Sequence, residues 1–175
     1  IDDDKMVNAF CLPGGKVAVY TGILPIAKNT DGLAAIMGHE VAHATLRHGS
    51  ERLSQTIAAQ VGLVATGAFL QNKKNAGLIL AALGAGAQVG ILLPFSRSHE
   101  SEADRVGLEY AAKSGYDPRE AGNLWRRMSK KGGSVPEFLS THPNSNRRAS
   151  ELDKQSQKLL SVYKARKKPR EDIAL

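Results

Sequence analysis

The spacing of apolar and polar positions divides the chain into a short strand-forming opening followed by a series of helices. Residues 7 to 20, V-N-A-F-C-L-P-G-G-K-V-A-V-Y, place two β-branched and aromatic runs around Pro13-Gly14-Gly15. That is the residue chemistry of a tight reversal, and it predicts a β-hairpin. Thr21-Gly22 and Pro25 break the pattern, leaving a connector or short helical turn up to Asn29. From Asp31, a good N-cap, Leu33, Ile36, Met37 and Val41 recur at helical spacing, with Gly49 as the expected stop. Ser50 can cap a second helix, and residues 55 to 70 are apolar on nearly every side. After the polar turn Gln71 to Asn75, a further apolar stretch runs from Ala76 to Leu93, interrupted only by Gln88. The two stretches predict a helical hairpin packed on the core. Ala76 to Leu93 touches the lower limit for crossing a bilayer, while Gly77, Gly84, Gly86 and Gly90 lower its hydrophobicity and helix propensity; a dip into a membrane is the alternative. Pro94 ends it.

The next helix is expected from Ser96 to Ser114, stopped by Gly115. Asp117-Pro118-Arg119-Glu120 is a capping box with proline at the first helical position, opening a helix to about Lys131 before Gly132-Gly133. Val135 to Asn146 lacks periodicity and reads as a loop; a last helix follows from about Ser145 to Lys164. No internal repeat or low-complexity block interrupts this order. The fold class is α+β, mostly α, with a small sheet.

Composition narrows the picture only a little. A chain of 175 residues, 42% hydrophobic and 23% charged, supports one globular domain over 1–175, with 1–6 and 165–175 as flexible ends. The net charge of +7 is concentrated toward Lys154 to Arg170. No aromatic-interleaved basic sheet or recognition helix accompanies it, so nucleic acid is not an expected partner. Cys11 is the sole cysteine, which excludes an internal disulfide. The chain opens on I-D-D-D-K without an initiator Met or signal segment, so its natural N-terminus is expected to lie upstream.

Candidate chemistry centres on His39-Glu40-Val41-Ala42-His43. Residues four apart sit one turn above each other on a helix, so His39 and His43 can aim ring nitrogens at one zinc ion. Glu40, turned about 100° around the helix, is placed to act as a base. A catalytic zinc keeps three protein ligands and one open position, so a third is needed. His48 is near in sequence but about half a turn out of phase, with no glycine between His43 and His48 to swing it round; it reads as a surface or second-helix residue. Glu100 and Asp104 share a face of the helix after Pro94, with Glu102 pointing away and His99 as a rival beside them. With Glu100 on zinc, Asp104 can accept a hydrogen bond from the far nitrogen of a ligand histidine. Alone, that acidic run would read as a solvated face; beside H-E-V-A-H the metal reading is preferred.

The segments N-A-F-C-L-P-G-G, G-H-E-V-A-H-A-T-L-R-H, S-R-S-H-E-S-E-A-D and T-H-P, in this order between Val7 and Arg148, resemble the gluzincin-type zinc endopeptidases related to HtpX, the CAAX prenyl endopeptidase and the periplasmic protease BepA. The resemblance implies a zincin-like domain with its helical hairpin between the two ligand helices, and one Zn2+ held by His39, His43 and Glu100. Asp104 would support a ligand; His142 and Arg148, with Arg147 as a rival, would face the reacting carbonyl. Glu40 would pass a proton from water to the leaving amine. The expected substrates are proteins or peptides, pairing with an edge of the hairpin between Asn8 and Tyr20. His142 is also a good fourth zinc ligand, so the 132–146 loop is expected to be able to cap the metal in a latent state. The expected location is a bacterial periplasm or cell envelope, with membrane contact as a further expectation and protein quality control as the role. The rival expectation is a non-catalytic membrane-surface domain with a structural or vestigial metal; it is opposed by the lone Cys11, which cannot build a structural ligand set of the usual Cys and His kind.

Overall fold

A computed structural model describes residues 1–12, 14–70, 73–83, 97–130, 137–142 and 146–166. Strands β1 (Ala9–Leu12) and β2 (Lys16–Val19) pair antiparallel, with Ala9 opposite Val19 and Leu12 opposite Lys16. Gly14 and Gly15 adopt left-handed φ values of 94° and 83° at the reversal, a region open to glycine without steric cost. The segment before β1, expected as a loose end, is tied to β2: Ile1 N–H donates to Val19 O at 2.7 Å and Thr21 N–H to Ile1 O at 2.9 Å. A 3₁₀ turn (Thr21–Ile23) and the four-residue α1 (Leu24–Ala27) follow.

Helix α2 (Thr30–Thr45) is capped by Asn29, whose side chain accepts from Gly32 N–H at 2.8 Å. The expected cap, Asp31, instead sits inside the first turn and accepts the Asp117 N–H at 2.8 Å, joining two distant helix starts. Nor does α2 run to Gly49. It ends at Thr45 with Leu46 as its C-cap, and Arg47 turns the chain with a left-handed φ of 59°, so that α3 (His48–Leu70) starts directly. A non-glycine residue there costs roughly 1–2 kcal/mol, which the surrounding packing must offset.

Beyond residues 73–75, the chain is helical at 76–83 (α4), and then in α5 (Arg97–Lys113), α6 (Glu120–Lys130), α7 (Glu137–Thr141) and α8 (Asn146–Lys164). Gly115, with φ of 85°, ends α5 as expected. The turn Asp117–Arg119 precedes α6, and Asp117 Oδ1 accepts from Arg119 N–H. Glu120 does not reach back to close a capping box; it pairs with Arg127 at 2.5 Å. The stretch expected as a loop contains the helical turn α7. The expected stops at Pro94 and Gly132-Gly133, the second half of the 76–93 stretch and residues 167–175 lie outside the described residues.

The core is built by α2, α5, α6 and α8, with β1 and α1 closing one side: Ala9, Ile23, Ile36, Leu108, Leu124, Trp125, Met128, Phe138 and Leu152 are buried together. Helices α2 and α5 cross at Gly38 and Gly107. A Cβ on Gly38 would lie 2.6 Å from Gly107 O, and one on Gly107 would lie 2.7 Å from the Gly38 carbonyl carbon. Only hydrogen at both positions permits that approach, which brings the His39 face of α2 against the Glu100–Asp104 face of α5.

The helical hairpin departs from expectation. Gly67 of α3 faces Leu80 of α4, but beyond His48 no α3 residue is buried. Leu53, Ile57, Val61, Val64 and Phe69 are exposed, as are Leu78 and Leu83 of α4. A helix apolar all round carries no face that selects a partner, and α2, α5, α6 and α8 already close the core.

Candidate metal centre and active site

Four donors converge. His39 and His43 from α2, Glu100 from α5 and His142 from the end of α7 are all buried, and each offers a ligand atom within 4.8 Å of the others. His43 Nε2 lies 3.0 Å from His39 Nε2 and 3.3 Å from Glu100 Oε1. His142 Nδ1 lies 2.9 Å from Glu100 Oε1 and 3.3 Å from His39 Nε2. Three imidazoles and one carboxylate are a donor set that suits zinc, and so tight a buried cluster fits a single cation.

Behind Glu100, α5 and α8 supply the support. Asp104 Oδ1 is 3.0 Å from His39 Nδ1, the nitrogen facing away from the other donors. Arg148, expected opposite a reacting carbonyl, instead donates from Nε and Nη2 to the two Asp104 oxygens at 2.8 and 2.7 Å, and from Nη1 to Glu100 Oε2 at 2.7 Å. Glu100 and Asp104 stand one turn apart and match the guanidinium fork, while the indole of Trp125 stacks 3.8 Å from the guanidinium carbon. Arg147 is exposed.

Glu40 lies beside the cluster. Its buried Oε1 lies 3.4 Å from His142 Nε2, and its carboxylate takes the Cys11 N–H of β1. Burial raises the Glu40 pKa, against the pull of His142 and His39. Burial also pushes Glu100 upward, but hydrogen bonds from His142, His39 and His43 outweigh it and hold the carboxylate well below its usual range. His39 would be lowered by burial, but Asp104 and Glu100 raise it to about 9. Burial takes His43 the other way, to about 3. Asp104 is held low despite burial by His39 and Arg148.

His48 and His99 stand outside the four donors. His48, expected at the surface or on the second helix, does open α3 but is buried, because the left-handed Arg47 folds it back against His43. A glycine-only rule for breaking α2 missed that. His99 stacks on it with ring centroids 4.3 Å apart and pairs with Glu51.

The hairpin edge is also defined. Tyr20 N–H donates to Asn8 O, so by antiparallel alternation Ala9 and Cys11 turn their backbone groups away from β2. That outer edge faces Glu40, and Val7 O at its start already accepts the Phe138 N–H of α7 at 3.1 Å.

A helix carrying two histidines and a glutamate, a second helix whose carboxylate meets them and a β-hairpin edge beside them fit a zincin-like metallopeptidase domain. The chain belongs to peptidase family M48, whose model matches residues 1–156. Members of the family are zinc-dependent. The chain is 41% identical over 155 residues to the mitochondrial metalloendopeptidase OMA1 of Schizosaccharomyces pombe, covering 86% of this chain and 44% of that protein. It is 39% identical over 173 residues to OMA1 of Saccharomyces cerevisiae, covering 93% and 47%. It is 30% identical over 151 residues to the beta-barrel assembly-enhancing protease of Escherichia coli, covering 82% and 31%. The chain thus spans less than half the length of these relatives.

Proposed function

We propose that this chain is a zinc-dependent endopeptidase domain that hydrolyses peptide bonds of protein substrates in cell-envelope quality control. The observation that carries the reading is Glu40: a buried carboxylate that stands beside the four donors without being one of them, with its Oε1 only 3.4 Å from His142 Nε2, is placed to act on a group bound at the cluster rather than to hold the metal. Zinc held by His39, His43 and Glu100 would supply Lewis acidity, lowering the pKa of a water and polarising the peptide carbonyl. Glu40, its affinity for protons raised by burial, takes the proton from the attacking water and returns it to the leaving amine. The outer edge of β1 offers the Ala9 and Cys11 carbonyls to an extended substrate strand, since the Cys11 N–H goes to Glu40 and the Ala9 N–H to Asn8 Oδ1. Arg148 holds Glu100 and Asp104 in register.

His142 closes the cluster. With its ring among the other three donors and 3.4 Å from Glu40, and with Phe138 on the β1 edge, substrate entry requires α7 to withdraw. This supports a latent state in which His142 caps the metal and, once displaced, is free to donate to the carbonyl oxygen. The same four-donor closure also favours a second reading, a structural metal in a non-catalytic domain: the lone Cys11 does not prevent a full ligand set, because His142 completes one.

The membrane contact proposed rests on α3. Its 23 residues, about 35 Å of helix, are long and apolar enough to cross a bilayer, and its apolar window has no buried share. Lys73 and Lys74 at the turn beyond it suit anionic headgroups. The location proposed is accordingly membrane-associated; the OMA1 relatives are named as mitochondrial proteins.

Measuring bound zinc and casein cleavage on the same protein, before and after chelation, decides between the readings. A peptidase binds one zinc and loses cleavage with it. Zinc bound without cleavage, persisting after α7 is loosened by Phe138→Ala with His142 kept, supports the structural reading.

A further inference from the structure

His39 and His43 are supported from behind by different chemistry. For His39 the group at the far nitrogen is a carboxylate, Asp104. For His43 it is another imidazole: His43 Nδ1 lies 3.0 Å from His48 Nδ1, both rings buried. We propose that His48 is a positioning residue for the metal centre, fixing the tautomer and ring orientation of His43 through a directed chain from His43 to His48 to Glu102.

The direction follows from the geometry. His43 Nε2 is the nitrogen among the donors, 3.3 Å from Glu100 Oε1, so a metal there takes its lone pair and leaves the proton on Nδ1. That N–H donates to His48 Nδ1. Accepting at Nδ1, neutral His48 carries its own proton on Nε2, which lies 3.4 Å from Glu102 Oε2. The plane of His48 is set by His99, stacked at 4.3 Å and paired in turn with Glu51 at 3.2 Å. Among the described residues the groups facing His48 include His43 from α2, Glu102 and His99 from α5, with Glu51 behind His99. The strained turn at Arg47, φ 59°, is what brings the ring into place, and a left-handed non-glycine residue held next to a functional cluster is where such strain has a use. His48 stands at the first residue of α3, so the chain ties the setting of a metal ligand to the base of the exposed hairpin.

The inference rests on His43 being a zinc ligand, and zinc stoichiometry of the wild-type protein tests that separately. The experiment is a competition titration of zinc against a chromophoric chelator on the wild type, His48→Phe and His48→Gln. Removing a hydrogen-bond partner of a ligand histidine typically costs 10–100-fold in metal affinity. His48→Phe is expected to lose about that much. His48→Gln, which can accept from His43 and donate to Glu102, is expected to stay within about threefold of wild type. Wild-type affinity in His48→Phe, or equal loss in the two variants, overturns the proposal. Should His48→Phe not fold, ¹⁵N chemical shifts of the histidine rings in the zinc-loaded wild type decide: a proton on His43 Nδ1 and on His48 Nε2 supports the chain, and a proton on His48 Nδ1 refutes it.

Discussion

Helices α2 and α3 are neighbours, both rich in apolar residues, and they have opposite fates. In α2 the apolar positions lie among glycines and alanines that let α5 approach to backbone contact, so Ile36 is 1% exposed and His39, Glu40 and His43 are buried with it. In α3 the apolar residues go all round, and Val64 is 75% exposed. Burial of α2 gives a low-dielectric setting in which Asp104 and Glu100 raise His39 while burial lowers His43; exposure of α3 leaves an apolar surface for another medium. The difference teaches that apolar content alone does not decide burial: a face and a partner do.

The sharpest way to break the comparison is at the helix crossing. Gly38→Val or Gly107→Val forces a side chain into the facing backbone and is expected to cost about 3 kcal/mol or more, read by urea unfolding of the zinc-loaded protein. Ile36→Ala should cost roughly 2–5 kcal/mol, whereas Val64→Ala should stay within about 0.5 kcal/mol. Equal losses would erase the distinction between the helices.

The buried setting also predicts a proton linkage. His39 in the metal-free protein holds its proton up to about pH 9, and zinc must displace it. Zinc affinity should therefore rise about tenfold per pH unit from 7 to 9 and flatten above, as competition titrations across that range would show. On the exposed side, Val61→Ser, Val64→Ser and Phe69→Ser together should abolish flotation with anionic vesicles while casein cleavage in solution is retained. A small gain is expected at the junction: Arg47→Gly relieves the left-handed strain and should raise stability by about 1 kcal/mol in thermal unfolding.

Much of the site was legible because it is local. His39, Glu40 and His43 fall within five residues, and Glu100 and Asp104 share one turn, so helical periodicity alone sets their faces. The hairpin and the Gly115 stop are equally local. What was not legible depends on partners far along the chain: Asp31 is drawn to Asp117, Arg148 to Asp104 and Glu100, and His142 to donors about 40 and 100 residues away. His48 was missed because a left-handed Arg47 is a local conformation that tertiary packing enforces against residue preference. The exposure of α3 follows from the lack of a partner, which hydropathy cannot register.

The account turns on Glu40 as the base. The most direct measurement is casein cleavage by zinc-loaded Glu40→Gln at the zinc content of the wild type. The account predicts one bound zinc and no cleavage above the uncatalysed background, since the amide cannot take the proton. Cleavage near the wild-type rate with zinc in place would contradict it.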